Sequence, residues 1–258
     1  IIIIIIISNM NFLKLLPLFI LFISCNHYFI LRDSPETNIT EELKNKKVTL
    51  IGFCSYRISS SERKVGKVKT TTTRAILDTS YCAKEFFEFG TPIEKQTFKG
   101  IRNDVPEKVK QDFILYFWNN TGMEGIRELN PILIEKNKKL FLRDSDSDYY
   151  VQGFVNPPMG TTPTLLGFTV GLTTIFPAIA TLGTIPAFNQ FQYTMKIRVF
   201  DKNFKLIKEY NYENKTFWKM ASWWKGKPSK EYLDLSHPKE IFSPEIKDFT
   251  NEFTRDFK

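Results

Sequence analysis

Three aspartates at alternate positions form the densest group of potential metal ligands in the sequence. Asp144, Asp146 and Asp148 repeat the opening spacing of a calcium-binding loop, whose carboxylates at positions one, three and five bind the ion. Such a loop also requires glycine at position six and glutamate at position twelve, but these positions hold Tyr149 and Val155. We therefore predict a solvated turn that leads into a strand, and the aspartates are kept only as candidates for a cation site.

The common short motifs of catalysis and nucleotide binding are absent from the sequence. It contains no GxxxxGK[ST] phosphate loop, GxSxG nucleophile elbow, HExxH zinc motif or GxGxxG dinucleotide fingerprint. The two histidines, His27 and His237, have no second histidine or cysteine at metal-ligand spacing. We therefore predict no catalytic residues, no metal and no cofactor.

The cysteine with the clearest chemical context is Cys25, which follows a short apolar segment. From Met10, one basic residue (Lys14) precedes an uncharged apolar run over residues 15–23, and Ser24 stands directly before the cysteine. A short basic region, an apolar core of this length and a small residue before the cleavage point are typical of a secretory signal peptide. The sequence therefore predicts an exported chain.

The end of this segment, Leu21-Phe22-Ile23-Ser24-Cys25, resembles the signal of bacterial lipoproteins. In that family the cysteine becomes the first mature residue, its thiol receives a diacylglycerol, and its new amine is usually acylated with palmitate-like chains. Phe22 stands where leucine is usual, with Leu21 one place earlier. We predict a signal peptide over residues 10–24 and lipidation of Cys25. The alternatives are an ordinary secretory signal and a plain membrane anchor. The apolar run is short for an anchor, because a helix needs roughly 20 apolar residues to span a bilayer.

The residues on either side of this signal add two expectations. Residues 1–9 (IIIIIIISN) precede Met10 without a start signal or an amphipathic period, so we interpret them as mistranslated upstream sequence. The residue after the cysteine is Asn26 and not aspartate. In this respect the sequence resembles lipoproteins that are transported to the outer membrane in bacteria with two membranes. The expected location is therefore the bacterial cell envelope, with the chain lipid-anchored at the outer membrane.

Composition limits the partners of the mature chain. Removal of residues 1–24 takes away one charge, Lys14, so the formal net charge falls from +8 to +7. A hydrophobic content of 42 % and 24 phenylalanines favour a packed core over disorder. A basic surface attracts anionic lipid, polysaccharide or nucleic acid, but no nucleic-acid-binding motif is present. We expect the membrane (through lipidated Cys25), other envelope proteins or anionic envelope components as partners, and no nucleic acid.

Two further cysteines form an even pair once Cys25 is modified. Export would place Cys54 and Cys82 in a compartment that permits disulfides. A bridge would close a loop of 27 residues (55–81) and would stabilise the fold by about 3 kcal/mol in the chain-entropy model. Because cysteine is among the most buried residue types, two buried free thiols are the alternative.

The elements that position these residues follow from hydrophobic periods. We predict a polar tether over residues 25–47 and one α/β domain over residues 48–258. Within the domain, residues 58–74 are rich in Ser, Thr and Lys and are predicted to form a solvated loop or hairpin. Helical spacing and end signals predict helices over about residues 105–118 and 244–257.

Residues 191–212 give the clearest strand signal. Apolar and polar side chains alternate strictly from Phe191 to Val199, and Asp201-Lys202-Asn203 supplies a turn before the second strand at residues 205–212, which predicts an antiparallel hairpin. The predicted fold class is α/β or α+β, with a single mixed sheet that contains this hairpin and is flanked by the two helices.

The segment 164–188 is a long uncharged stretch rich in Gly, Pro and Thr. It is long enough to span a bilayer, but its composition makes a poor helix in water. Three interpretations stay open: a membrane-spanning segment, a buried irregular segment, and an apolar hairpin that lies on the sheet or on the membrane. Trp218, Trp223 and Trp224 follow among lysines, which suits either a lipid interface or packing over a sheet edge.

The order of several segments is similar to that of a widespread class of envelope lipoproteins. KVTLIGF (47–53), EKVKQDFILYF (107–117) and DYYVQGFV (148–155) precede an apolar Gly/Pro segment and the hairpin YTMKIRVFDKNFKLIKEYNY (193–212). DYYVQGFV resembles a strand in the small α/β domains of the curli-secretion lipoprotein and of the Tol-system propeller protein's amino-terminal part. TLGTIPAFNQFQYTMKIRVFDKN (181–203) looks more like uncharacterised bacterial lipoproteins. The resemblance, over residues 47–215, implies helices packed on a sheet and a non-enzymatic envelope role.

Together these inferences favour a lipid-anchored cell-envelope protein with a non-catalytic binding or assembly role. The first alternative is a membrane-inserted component of a pore or export complex that uses residues 164–188. The second alternative is an envelope enzyme whose site is assembled from scattered residues.

Overall fold

The computed structural model describes residues 26–30, 32–78, 82–156, 162–181, 183–222, 232–234 and 238–257. Its elements follow in the order β1 (Asn26–Ile30), α1 (Glu41–Lys44), β2 (Val48–Gly52), β3 (Ser55–Val65), β4 (Val68–Asp78), β5 (Thr91–Pro92), β6 (Lys99–Arg102), α2 (Glu107–Ile126), β7 (Leu133–Lys136), β8 (Lys139–Asp144), β9 (Tyr149–Asn156), β10 (Thr162–Pro163), α3 (Leu165–Ala180), β11 (Ala187–Asp201), β12 (Leu206–Ser222), β13 (Tyr232–Asp234) and α4 (Ser243–Asp256). The predicted signal peptide, Cys25, Trp223, Trp224 and His237 lie outside the described residues.

The chain divides into two units where the sequence predicted one domain. Unit 1 takes residues up to 31, 163–191 and 216–236, and unit 2 takes residues 32–162, 192–215 and 237–258. Two of the boundaries fall inside the long strands β11 and β12. Because the chain crosses these boundaries in regular strands, no linker composition marks them in the sequence.

Unit 2 is built on a mixed sheet in the order β12–β11–β9–β2–β5. β11 runs antiparallel to β9, whereas β9, β2 and β5 run parallel to one another. Tyr149 and Tyr150 are neighbours in β9 and therefore face opposite sides of the sheet. Tyr150 contacts Phe113 of α2, and Tyr149 contacts Phe253 of α4, so each side is covered by a helix. The predicted α/β class with a mixed sheet is confirmed.

The strongest local predictions match the observed elements. β11 and β12 are neighbours joined only by residues 202–205, so they form the predicted antiparallel hairpin. α4 covers Ser243–Asp256, against the predicted 244–257. α2 begins near its predicted start but continues to Ile126, with an interruption at Gly122, where φ is 69°. The helix thus continues past its predicted end at about residue 118 and is kinked at Gly122.

The amino-terminal segment differs from the predicted tether of residues 25–47. Asn26–Ile30 forms β1, which pairs antiparallel with β12 and with β13 in unit 1. Residues 41–44 form the short helix α1. A strand of five residues has too few side chains to show a period, and its pairing partner lies about two hundred residues away in sequence, at Trp218–Ser222.

The polar stretch 58–74 lies in a two-stranded ribbon formed by β3 and β4. The strands pair without interruption from Ser55 opposite Asp78 to Val65 opposite Val68. A disulfide joins Cys54, directly before β3, to Cys82, shortly after β4. It holds the base of the ribbon together, and the structure contains this bridge rather than two free thiols.

A buried polar network lies beside the same base. Tyr56 donates a hydrogen bond to Glu128, and the Lys84 ammonium pairs with Glu94 and, at 3.4 Å, with Glu128. Burial raises the pKa of the Glu128 carboxyl, while the charge of Lys84 opposes this rise. The network ties the start of β3 to the short 3-10 turn directly after α2.

Candidate functional site

The uncharged segment of unit 1 folds as a helix. α3 has 16 residues and begins after Thr164, whose hydroxyl accepts a hydrogen bond from the Gly167 amide at 2.8 Å. This N-cap satisfies one of the free amides at the helix start. The interpretations of residues 164–188 as a buried irregular segment and as an apolar hairpin are therefore wrong. Among the described residues, none of the helices combines the length and apolarity needed to cross a membrane.

The inner face of α3 lies very close to β11. A Cβ atom at Gly167 would stand 2.2 Å from the Gln190 carbonyl oxygen, whereas one at Gly171 would have its nearest contact 3.6 Å away, at the Phe188 carbonyl. The Thr174 hydroxyl accepts a hydrogen bond of 3.0 Å from the Phe188 amide. The absence of a side chain at Gly167 is thus what allows the helix to seat on the strand.

We expect Gly167→Ala to displace α3 and Gly171→Ala to be tolerated. The first change forces a methyl group against fixed backbone, and such overpacking costs about 1–3 kcal/mol. The second adds a methyl at an ordinary contact distance and favours the helix by up to about 1 kcal/mol. Hydrogen exchange of the α3 amides should therefore accelerate in the first variant only. Equal exchange in both variants would contradict the close approach at Gly167.

The outer face of α3 exposes large apolar side chains. Leu165 is 84 % and Phe176 is 70 % exposed. The other exposed apolar side chains of the helix are Leu166, Phe168, Leu172, Ile175 and Ile179. A helix without any charge is ordinarily enclosed by protein or lipid, and contiguous exposed apolar surface marks an interaction site. This face is therefore a candidate interaction surface.

The hydroxyl groups on α3 are satisfied within the helix. Thr169 donates to the Leu165 carbonyl at 3.0 Å, Thr173 to the Thr169 carbonyl at 3.1 Å, and Thr181, just after the helix, to the Pro177 carbonyl at 2.8 Å. In hydrocarbon, polar groups must find partners inside the protein because water is absent. The threonines therefore do not prevent this face from entering lipid.

A groove of about 410 Å³ lies between α3 and the strands β11 and β12 in unit 1. Its walls are mainly apolar, formed among others by Phe168, Leu172, Ile175, Phe191, Met220 and Ala221. Two polar side chains, Asn189 and Lys219, also line it. Burial lowers the pKa of the Lys219 ammonium, which lies 5.3 Å from the centre of the Phe191 ring.

The strand that follows Cys25 borders this groove. β1 pairs with β12 so that Asn26 lies opposite Ser222 and His27 opposite Ala221, which lines the groove. The Ser222 hydroxyl donates to the Gly183 carbonyl, shortly after the end of α3. Cys25 itself is outside the described residues, but it is bonded to Asn26. The structure thus brings the neighbour of the predicted lipidation site and the apolar helix into one unit.

The other candidates lie in unit 2. The Asp146 carboxylate pairs with Lys47 at 2.8 Å, Asp148 accepts from the Lys47 amide at 2.9 Å, and Asp144 accepts from the Asp146 amide at 3.1 Å. The hydrogen bond from Lys47 holds the pKa of Asp146 below its usual value. The part of the chain that the structure describes holds no cluster of three or more His, Cys, Asp or Glu suited to a metal ion. The three aspartates instead order the turn before β9.

Sequence reasoning did not identify Gly167, Asn189 or Lys219. The glycine content of residues 164–188 predicts a poor helix in water, although glycines four residues apart in an uncharged stretch, such as Gly167 and Gly171, also mark a helix face that packs closely. Asn189 and Lys219 lie on different strands, so no local pattern joins them.

No family model, curated protein or solved structure matches this chain. The resemblance to envelope lipoproteins therefore stays a prediction. Function is inferred from the residues of unit 1.

Proposed function

We propose that this protein is a lipid-anchored component of the bacterial cell envelope, held at the outer membrane through Cys25, with a non-catalytic role in binding or assembly. The observation that supports this best is the composition of unit 1. It contains both the strand that starts one residue after Cys25 and the exposed apolar helix α3.

The two features would act together at a lipid surface. Each lipid methylene buried contributes about 0.8 kcal/mol, and stable anchoring generally needs two signals. Burial of a leucine or phenylalanine contributes about 1.5–3 kcal/mol more, and Leu165 and Phe176 are the most exposed such side chains of α3. The net charge of +7 after removal of residues 1–24 would add attraction to anionic lipid. α3 is thus the second contact beside the lipid on Cys25.

The ribbon of β3 and β4 supports a binding or assembly role. The ribbon exposes three lysines, Lys64, Lys67 and Lys69. Within the described part of the chain, Lys69 forms an ion pair with Glu62, and the other two lysines form none. In the described residues, β3 pairs with β4 alone, which leaves an outer strand edge open. Open edges recruit extended segments of partners, and lysines attract anionic ones. Other envelope proteins or anionic envelope components fit this surface.

Cell fractionation of a Cys25→Ala protein tests the proposal. We expect the wild type to stay with membranes in alkaline carbonate, because its acyl chains are buried in the bilayer. Cys25→Ala should stay partly bound in buffer through α3 but should be released by carbonate. Removal of Cys54 and Cys82 together is the control, and it should leave membrane binding unchanged.

Two outcomes would contradict the proposal. Release of the wild type by carbonate would exclude a stable lipid anchor. Retention of Cys25→Ala in carbonate would show that the chain is inserted in the bilayer without needing the lipid.

A further inference from the structure

We infer that the edge of β12 at residues 206–213, together with the groove between this strand and α2, binds an extended segment of another envelope protein as an added strand. The segment carries one carboxylate, which pairs with Arg198 in the groove. The inference deepens the proposed role in binding or assembly and rests on it for the class of partner.

The first half of β12 is an edge strand of the sheet in unit 2. β12 has β11 on one side, and β1 pairs with its other side only at Trp218–Ser222, in unit 1. In the described chain, no loop or turn forms a backbone hydrogen bond with residues 206–213. Asn214 interrupts the regular strand after this stretch, with φ at 52°. The backbone donors and acceptors of this edge can therefore pair with an extended chain.

The edge lacks the usual protection against strand addition. Edge strands are normally blocked by proline, by free lysines or by a covering segment. Residues 206–213 contain no proline, and their one lysine, Lys208, is paired with Asp256 of α4 at 2.5 Å. Leu206 and Ile207 are 40 % and 42 % exposed at the start of the strand. The edge is therefore accessible and offers apolar contacts.

A groove of about 570 Å³ lies beside this edge in unit 2. Val109, Leu115 and Tyr116 of α2 line one side, and Phe200 and Leu206 of the hairpin line the other. Its volume is within the range of roughly 300–1,000 Å³ that is common to binding sites. Side chains of an added strand alternate between the two faces of the sheet. Those on the α2 face would therefore enter this groove.

The groove contains a cation in a fixed position. The Arg198 guanidinium stacks on the Tyr116 ring, 3.3 Å from its centre, and its Nε donates to Glu209 at 2.6 Å. Among the described residues, no acceptor bonds to its two terminal nitrogens. A stacked guanidinium loses little freedom when it binds a carboxylate. Arg198 therefore offers two donors to a carboxylate of the partner.

The other charges of the groove restrict the partner further. Lys205 lines the groove and forms no ion pair within the described part of the chain, whereas Asp112 of α2 adds a carboxylate to the same lining. A run of acidic residues would meet Asp112, and a basic segment would meet Arg198 and Lys205. The formal net charge of +8 attracts an acidic partner at longer range. The groove thus selects a segment with one acidic residue among apolar ones.

The ribbon of β3 and β4 also has an open edge, but it lacks apolar contacts. Its described exposed side chains between residues 59 and 72 are polar apart from Val68. An apolar segment that added to the ribbon would leave its side chains in water. The ribbon therefore serves as the comparison surface in the test.

A library of random peptides of about ten residues, displayed on phage and selected on the full chain with Cys25→Ala, tests the inference. We expect enriched peptides to contain one acidic residue among apolar ones. The tightest of them, made synthetically, should slow hydrogen exchange of the β12 amides at residues 206–213 and not of the ribbon amides. N-methylation should abolish binding when it is placed on one alternate set of peptide amides and not on the other, because only every second amide faces the edge.

Arg198→Met measures the carboxylate contact. The change should weaken peptide binding about tenfold or more, and so should replacement of the peptide's acidic residue by its amide. The two changes together should weaken binding no further than either alone. Lys64→Met on the ribbon makes the same change in charge and is the matched control, which should have little effect. The amide peptide leaves the protein unaltered, so it tests the contact even if Arg198→Met does not fold.

Several results would overturn the inference. No enrichment of peptides, or peptides that protect the ribbon amides in place of those of β12, would exclude this edge as the site. Equal weakening by Arg198→Met and Lys64→Met would indicate general charge attraction. Equal effects of both N-methylated sets would contradict strand addition. A dimer in which the β12 amides are protected without peptide would assign the edge to a second copy of the chain.

The result is separable from that of the lipid anchor. Peptide binding is measured without a modified Cys25, so an unlabelled wild-type cysteine would leave a positive peptide result standing. Conversely, a chain that carries the lipid but binds no peptide would keep its anchor and lose this partner site.

Discussion

Replacement of Leu165 and Phe176 by glutamate in the Cys25→Ala protein should abolish its binding to vesicles of anionic phospholipid. The two side chains are the most exposed large apolar groups of α3, at 84 % and 70 %. Each contributes about 1.5–3 kcal/mol when buried, so their loss alone should weaken binding by about 100-fold or more. The glutamates add charge that lipid disfavours. Vesicle co-sedimentation measures the effect.

The matched control is Leu115→Glu with Leu140→Glu in unit 2. These leucines are 53 % and 45 % exposed, and the change in charge is the same. Since all four side chains are largely exposed, neither double variant should unfold the protein. We expect the control pair to weaken binding only slightly, through charge. Equal losses in both pairs would mean that charge, and not the apolar face of α3, determines membrane binding.

Arg32→Ala should lower the free energy of unfolding of unit 2 by about 3–5 kcal/mol. We expect a value near the lower end of this range, because the Arg32 side chain is 32 % exposed. Arg32 pairs with Glu245 at 2.5 Å and donates to the Tyr193 hydroxyl at 2.8 Å. Glu245 is fully buried and also accepts from Tyr193, and burial raises the pKa of the Tyr193 hydroxyl. Without Arg32 the carboxylate is left in the core with no opposite charge. The midpoint of denaturant unfolding measures the loss.

A double-mutant cycle isolates the charge effect. Glu245→Gln in the Arg32→Ala protein removes the orphan charge and should restore part of the stability. Lys44→Ala, which breaks the exposed pair with Glu41, is the control and should cost less than about 1 kcal/mol. If Arg32→Ala cost no more than Lys44→Ala, the buried pair would not hold the amino-terminal part of unit 2 to α4.

Local patterns predicted those elements in which apolar side chains recur at the regular spacing of a strand or a helix. The alternation from Phe191 to Val199, with the turn residues after it, predicts the hairpin, and the apolar stripe of residues 244–257 predicts α4. The Gly and Pro content of residues 164–188 predicts a poor helix in water, yet this segment contains α3. Close seating of Gly167 on Gln190 is a tertiary contact that outweighs such propensities.

The candidate site in unit 1 and the buried ion pair in unit 2 both depend on contacts between residues far apart in sequence. Ala221 meets His27 of β1, and Arg32 meets Glu245 across 213 positions. Neither pairing leaves a period or a motif in the sequence. The lipidation of Cys25 stays a prediction from a local, linear processing signal, whereas no local signal in the sequence predicts the exposed surface of α3.

Metabolic labelling with a palmitate analogue, compared between the wild type and Cys25→Ala, tests the lipid anchor most directly. We expect label in the wild type, none in Cys25→Ala, and an amino-terminal peptide of the wild type that begins at Cys25 with the mass of an acylated diacylglyceryl cysteine. An unmodified Cys25 thiol, or equal label in both proteins, would contradict the proposed attachment to the membrane.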